Sequence, residues 1–140
     1  FGEMARLGGA WEGRQVLGAD WLRRSLRPVT RSPFSGLGYG YGWFISSVQG
    51  YPMFYAWGYG GQFIFVVPDL ELTVVTTSDP DAPRERDHLA SVRRLFHERI
   101  VPAAIAGSAA RPAWRYRLTL IQPRLSASTR MPPSRSREAA

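Results

Sequence analysis

The stretch WGYGGQFIFVVPDLELTVVTTSD, residues 57–79, is a glycine-rich turn followed by two apolar runs that Pro68-Asp69 separates. Gln62 to Val67 and Glu71 to Thr77 are dense in Val, Ile, Phe and Thr, the side chains that suit a pleated surface. Alternation puts Phe63, Phe65 and Val67 on one face and Ile64 and Val66 on the other. With both faces apolar, this strand is expected inside a sheet covered on both sides. Pro68-Asp69-Leu70 supplies the tight turn between the two strands. The glycines at 58, 60 and 61 come before that hairpin and need a reason of their own.

Upstream, an aromatic and β-prone run predicts a strand from about 41 to 48. Gln49-Gly50 then forms a turn, and Pro52 to Trp57 reads as the next strand. Residues 28–38 read as a loop rich in Pro, Ser and Gly. Ala19 to Leu26 suits a short helix that Arg27-Pro28 ends. Trp11 to Leu17 reads as a tight turn with short extended flanks. Phe1 to Leu7 reads as the last turns of a helix, closed by Gly8-Gly9.

Downstream, Asp79-Pro80-Asp81-Ala82-Pro83 has the acidic cap and early proline of a helix start. Leu89, Val92, Phe96 and Ile100 then form one apolar stripe over 84–101, with Arg93 and Arg94 largely off it, and Pro102 is expected to end the helix. His88 and His97 read as solvated helix positions, and Asp79 and Asp81 as caps rather than metal ligands. The expected class is α/β, as an α+β sandwich. A partial antiparallel sheet of three to four strands is covered on one face by the C-terminal helix.

The charge is unevenly placed. Residues 107–140 carry seven arginines against one acid, whereas residues 1–106 carry eleven arginines against ten acids. We therefore divide the chain into a domain portion, 1–106, and a basic tail, 107–140. The tail lacks periodicity, and its mixture is that of a disordered segment or of GC-rich coding sequence read out of frame. Clustered arginine attracts phosphate, yet the tail has little aromatic interleaving, so nucleic acid is not the expected partner. No lysine and no cysteine occur, which removes ammonium and thiolate chemistry. No apolar run approaches the roughly 18 residues of a membrane helix. The start at Phe1, with no signal peptide behind it, reads as the interior of a longer chain.

The pieces FGEMARLGGAWEGRQVLGADWL (1–22), YGYGW (39–43), residues 57–79 and the helix at 84–101 come in one order. In that order the chain resembles the C-terminal part of serine β-lactamase-like hydrolases. That superfamily includes penicillin-binding proteins, class C β-lactamases, related esterases and aminohexanoate-oligomer hydrolases. The Gly-Gly-Gln variant looks closest to the last two. The likeness spans about residues 1–106 and implies an incomplete β-lactamase/transpeptidase-like fold.

It also implies a third active-site motif at Ala56-Trp57-Gly58. There the backbone N–H of Tyr59, after Gly58, would be one oxyanion donor, and Ala56, Trp57, Gly60, Gly61 and Gln62 would meet substrate. Glycine permits such a donor to face a carbonyl because no Cβ blocks the approach. The usual Lys-Thr-Gly is absent, so a penicillin is a poor fit and a small amide or ester a better one.

With no lysine and no asparagine, neither Ser-x-x-Lys nor Tyr-x-Asn exists in the chain. The nucleophile would come from a missing N-terminal portion, whose strands would pair beside Glu71 to Thr77. Without it that edge stays open, which favours aggregation. The resemblance implies acyl-enzyme hydrolysis without cofactor or metal and leaves the compartment open, since family members are often exported and some cytoplasmic. The competing reading is a non-catalytic remnant or a basic-tailed binding module.

Overall fold

The computed structural model describes residues 1–79 and 88–109. The chain opens with helix α1 (Gly2–Arg6), a small hairpin of β1 (Ala10–Trp11) and β2 (Arg14–Gln15), and helix α2 (Ala19–Ser25). Six strands follow: β3 (Thr30–Arg31), β4 (Gly38–Tyr39), β5 (Phe44–Val48), β6 (Tyr51–Gly58), β7 (Gln62–Val67) and β8 (Leu72–Thr76). They form one antiparallel sheet in sequence order, each strand pairing with the next. A 3-10 turn, Pro68–Leu70, joins β7 to β8, and Glu71 leaves it in the left-handed region (φ 52°). The chain ends in α3 (His88–Leu95), a π-helical turn (Phe96–Ile100) and α4 (Val101–Ala109). No helix among the described residues is long and apolar enough to cross a membrane.

The mixed α/β class stands, and four details of the expectation are corrected. The sheet has six strands rather than three or four. Two come from 28–38 and its border, where Thr30 pairs with Tyr39 and Arg31 with Gly38. Pairs that short carry too few β-prone side chains to show in sequence. The strand expected from 41 begins at Phe44, because the chain bends at Tyr41-Gly42 before it can join the ladder.

Helix covers both faces, not one. Val48, Met53, Tyr55, Phe63, Phe65, Val67 and Leu70 pack under Phe96 and Val101 of the C-terminal helix. On the other face Phe54 and Val66 pack with Trp43 under Ala5 of α1 and Leu22 of α2. The two-faced apolarity of β7 thus has its physical cause: its side chains alternate between two cores.

Finally, Pro102 does not end the helix. Proline lacks an N–H and its ring crowds the carbonyl four residues back, so a regular α-helix resists it. Here the wide turn Phe96–Ile100 immediately precedes it, and such π-turns are one recognised way a helix absorbs an interruption. The widening also moves the apolar stripe. Val101, five residues after Phe96, is fully buried, while Ile100 at the expected spacing of four is only half-buried. Phe96 stacks on Phe65 with ring centroids 4.1 Å apart. The proposed helix start at Asp79–Pro83 and the basic tail beyond 109 lie outside the described residues.

Candidate functional site

β6 and β7 are the longest strands and lie inside the sheet, joined by a three-residue turn at Tyr59-Gly60-Gly61. The last rungs of their ladder are Trp57↔Phe63 and Gly58↔Gln62. Gly60 and Gly61 have φ of +76° and +91°, a region that disfavours residues with a Cβ. Two of the three glycines that the hairpin left unexplained are therefore demanded by the turn. Gly58 is not among the positive-φ residues, and a Cβ there would stand 3.3 Å from Gln62 Cβ, tighter than an ordinary contact. Backbone conformation does not require glycine at position 58.

The residues assigned to the site from sequence do not all share one surface. Tyr59, at 71% exposure, and Gly58 stand at the rim. Ala56 turns to the α1/α2 face, beside Ile64 and Val66, while Trp57 turns to the opposite face. Strand alternation makes this unavoidable for neighbours. Trp57 stacks on Phe63 (6.0 Å, 7°) and receives the Arg93 guanidinium 5.1 Å from its ring centroid. Arg93 also lies 5.7 Å from the Phe63 ring, so it shields the end of the aromatic core.

Gln62 aims its amide along the sheet rather than at the turn. Its Nε2 donates to the Ser78 carbonyl (2.5 Å) and its Oε1 accepts from the Ser78 N–H (3.1 Å). That pair extends the β7–β8 ladder past its last backbone rung. Gly61 is buried below: its carbonyl accepts from the Thr76 and Ser78 hydroxyls, and a Cβ on it would stand 2.8 Å from His88 Nε2. Gly60 is half-buried.

Of the two histidines read as solvated, His97 is half-buried, while His88 is exposed yet packs under the turn, with Arg93 on its wall. Nothing in the sequence set His88 beside the glycine turn. Arg93 was visible only as the cation next to Val92 at the border of the apolar stripe.

Titration is perturbed away from the turn. Burial pushes the Tyr55 hydroxyl up, against the pull of Arg93. Burial, aided by Arg93, holds the His97 imidazole below its ordinary value, and Glu98 opposes them. Among the described residues no three His, Cys, Asp or Glu side chains converge as a metal site would need. A cavity of about 290 Å³ lies between α1, α2 and β5–β6, floored by Leu22, Leu26, Met53 and Phe54. An open depression of about 380 Å³ lies against Val29 and Ile45. Neither is lined by residues 56–62.

No protein-family model matches the chain, and no curated protein matches it.

Proposed function

We propose that the chain is the C-terminal part of a serine hydrolase that cleaves a small amide or ester through an acyl-enzyme. The fold proposed for the whole domain is of the β-lactamase/transpeptidase kind, of which residues 1–106 are a portion. In this reading the Tyr59 N–H is one donor to the developing oxyanion, with Ala56 to Gly58 as the adjoining strand wall. Such donors lower the barrier because they meet charge that exists only in the transition state. The nucleophile and its base belong to the missing N-terminal portion. The substrate lies over the exposed rim at Gly58 and Tyr59, with Trp57, Gly60, Gly61 and Gln62 holding that rim in place. No cofactor enters the reaction.

The observation that carries the reading is Gly58. A glycine inside a strand weakens it, and commonly marks a place where another molecule approaches the backbone closely. The backbone angles explain Gly60 and Gly61 but not Gly58, which this reading assigns to that cause. The non-catalytic alternative draws support from the divergence of Ala56 and Trp57 and from the position of both cavities away from the turn.

The test is hydrolysis of a short-chain p-nitrophenyl ester. It is run with this chain alone and with the N-terminal portion of a serine β-lactamase-like hydrolase joined to it. Hydrolysis is expected only in the joined protein, and Tyr59→Pro, which deletes the N–H, should lower its kcat by roughly 10²–10³. Activity of the chain alone would refute the assignment of the nucleophile. A folded but inert joined protein would favour the non-catalytic module.

A further inference from the structure

Helix α3 and the π-turn keep step with β7 from the glycine turn inward. His88 stands at Gly61, Arg93 over the rings of Trp57 and Phe63, and Phe96 on Phe65. The middle place is the odd one. It roofs two stacked aromatic rings at the end of an apolar core, yet it holds a half-buried cation. A guanidinium is drawn to a ring face by the ring's quadrupole, and more strongly where water is partly excluded. Trp57 directly precedes Gly58 and Tyr59, so the group that fixes its ring bears on the rim.

His97 lies four residues after Arg93, and its place is fixed by backbone. The Val101 N–H is taken by the Phe96 carbonyl, five residues back. In that same wide pattern the His97 carbonyl would look to residue 102, a proline with no N–H to give. Gln49 Nε2 supplies the missing donor at 2.9 Å and ties the π-turn to the loop between β5 and β6.

We infer that Arg93 is a positioning residue for the rim at Gly58 and Tyr59, and that His97 is the switch on it: the guanidinium stays on Trp57 while the imidazole is neutral and lets go when the imidazole takes a proton.

Two like charges one helical turn apart oppose each other, and a coupling of this kind is reciprocal. Arg93, after burial, lowers the proton affinity of His97, so a proton on His97 loosens Arg93 by the same free energy. Arg93 is half-buried on a flexible stem and can swing outward. Glu98, on the π-turn, opposes Arg93 at the ring. From the β5–β6 loop the group that reaches the turn is the Gln49 amide, which has no charge. On β6 the Tyr55 hydroxyl feels Arg93, but burial pushes it up, so it keeps its proton through this range. The consequence for hydrolysis rests on the proposed reading of this rim as the oxyanion site: the rate would fall as pH drops through the His97 midpoint.

The test is a pH titration of the full chain by NMR, from pH 8 to pH 5, with circular dichroism verifying that it stays folded. The signals are the His97 Cε1–H, the Trp57 indole N–H and the Gly58 and Tyr59 amides. All four are expected to share one midpoint, below 6.5. His97→Gln should remove the pH response of the other three, while His88→Gln, the imidazole at Gly61, should leave it. Arg93→Met keeps an apolar stem over the rings without the charge. It should raise the His97 midpoint toward 6.5, short of it because burial remains, and hold Trp57 still. Arg93→Lys restores the charge without the planar stack, so the His97 midpoint stays low while the indole response shrinks. A Trp57 or rim signal that stays still while His97 titrates overturns the inference. So does one that still titrates in His97→Gln, or a His97 midpoint that Arg93→Met leaves in place. None of these signals needs catalysis. The coupling together with an inert joined protein would end the hydrolase reading alone, and an active joined protein without the coupling would end this one alone.

Discussion

Gly61 is the residue on which turn, ladder and terminal helix meet. Its φ of +91° suits the turn, its carbonyl takes two hydroxyl donors from the end of the β8 segment, and His88 packs against its Cα. Gly61→Ala therefore carries two penalties, a left-handed backbone and a contact at 2.8 Å with His88 Nε2. Gly8→Ala carries only the first, since its φ is +71° and nothing lies within 4 Å of the added carbon. Gly8→Ala should lower stability by about 1 kcal/mol and Gly61→Ala by roughly 2–3 kcal/mol, read from urea unfolding midpoints. Equal losses would mean that the imidazole swings aside freely. At this scale the sequence was legible where a residue type has one strong reason. It marked the turn glycines as purposeful. It was not legible for Gln62, because an amide can serve a substrate or a backbone equally well, and only the position of Ser78 decides between them.

Among the elements, the strands with the most β-branched and aromatic side chains were readable. β6, β7 and β8 fall within a residue or two of their expected bounds. β3 and β4 were not, because their pairing is made by backbone and neighbours rather than by side-chain preference. The apolar stripe of the terminal helix was readable at Val92 and Phe96 but not at Leu89, which is exposed, and it was misread after Phe96, since periodicity arguments assume 3.6 residues per turn and the π-turn breaks that count. The same turn holds His97 half-buried, its carbonyl accepting from Gln49 Nε2 at 2.9 Å. The groups facing the ring are Arg93, Glu98 and the Phe96 edge. Burial and Arg93 make the folded protein a poorer proton acceptor here than the unfolded chain, whose imidazole titrates near 6.5. The unfolded state thus binds the proton first as pH falls. Stability supplied by neutral His97 is complete above that value and declines below it. The unfolding midpoint should drop between pH 7.5 and 5.5, and His97→Gln should flatten that drop. A variant that retains the full slope would assign it to another group. Glu3 acts in the same direction but lower, below its ordinary value near 4.5, because the Arg6 hydrogen bond favours its charged form.

For the whole molecule, the decisive feature is that one sheet serves two cores. The C-terminal core is large and built round stacked Phe63, Phe65 and Phe96. The N-terminal core is smaller, and its cover is two short helices, α1 of five residues and α2 of seven. A five-residue helix has no stability of its own, so α1 is held only by what it touches. Gly2 is the closest point of that contact: a Cβ there would reach within 2.4 Å of Ile64 Cγ2 and 3.0 Å of Thr73 Cγ2. Gly2→Ala must therefore lift α1 or displace Ile64, at a cost of roughly 1–3 kcal/mol for an overpacked contact. Gly18→Ala, which precedes α2 with nothing within 4 Å, should change stability by less than about 0.5 kcal/mol. Lifting α1 also moves Phe1, whose ring stacks 5.5 Å from Trp43, so tryptophan emission should shift in Gly2→Ala alone. It uncovers Val66 and Phe54 as well, so Gly2→Ala should bind a hydrophobic dye such as ANS while the C-terminal core stays folded. If the dye binds and the whole sheet melts together, the two cores are one cooperative unit and α1 is as necessary to the fold as the terminal helix. If stability, emission and dye binding all match wild type, α1 does not close the second face, and β7 must owe its two-faced apolarity to another cover.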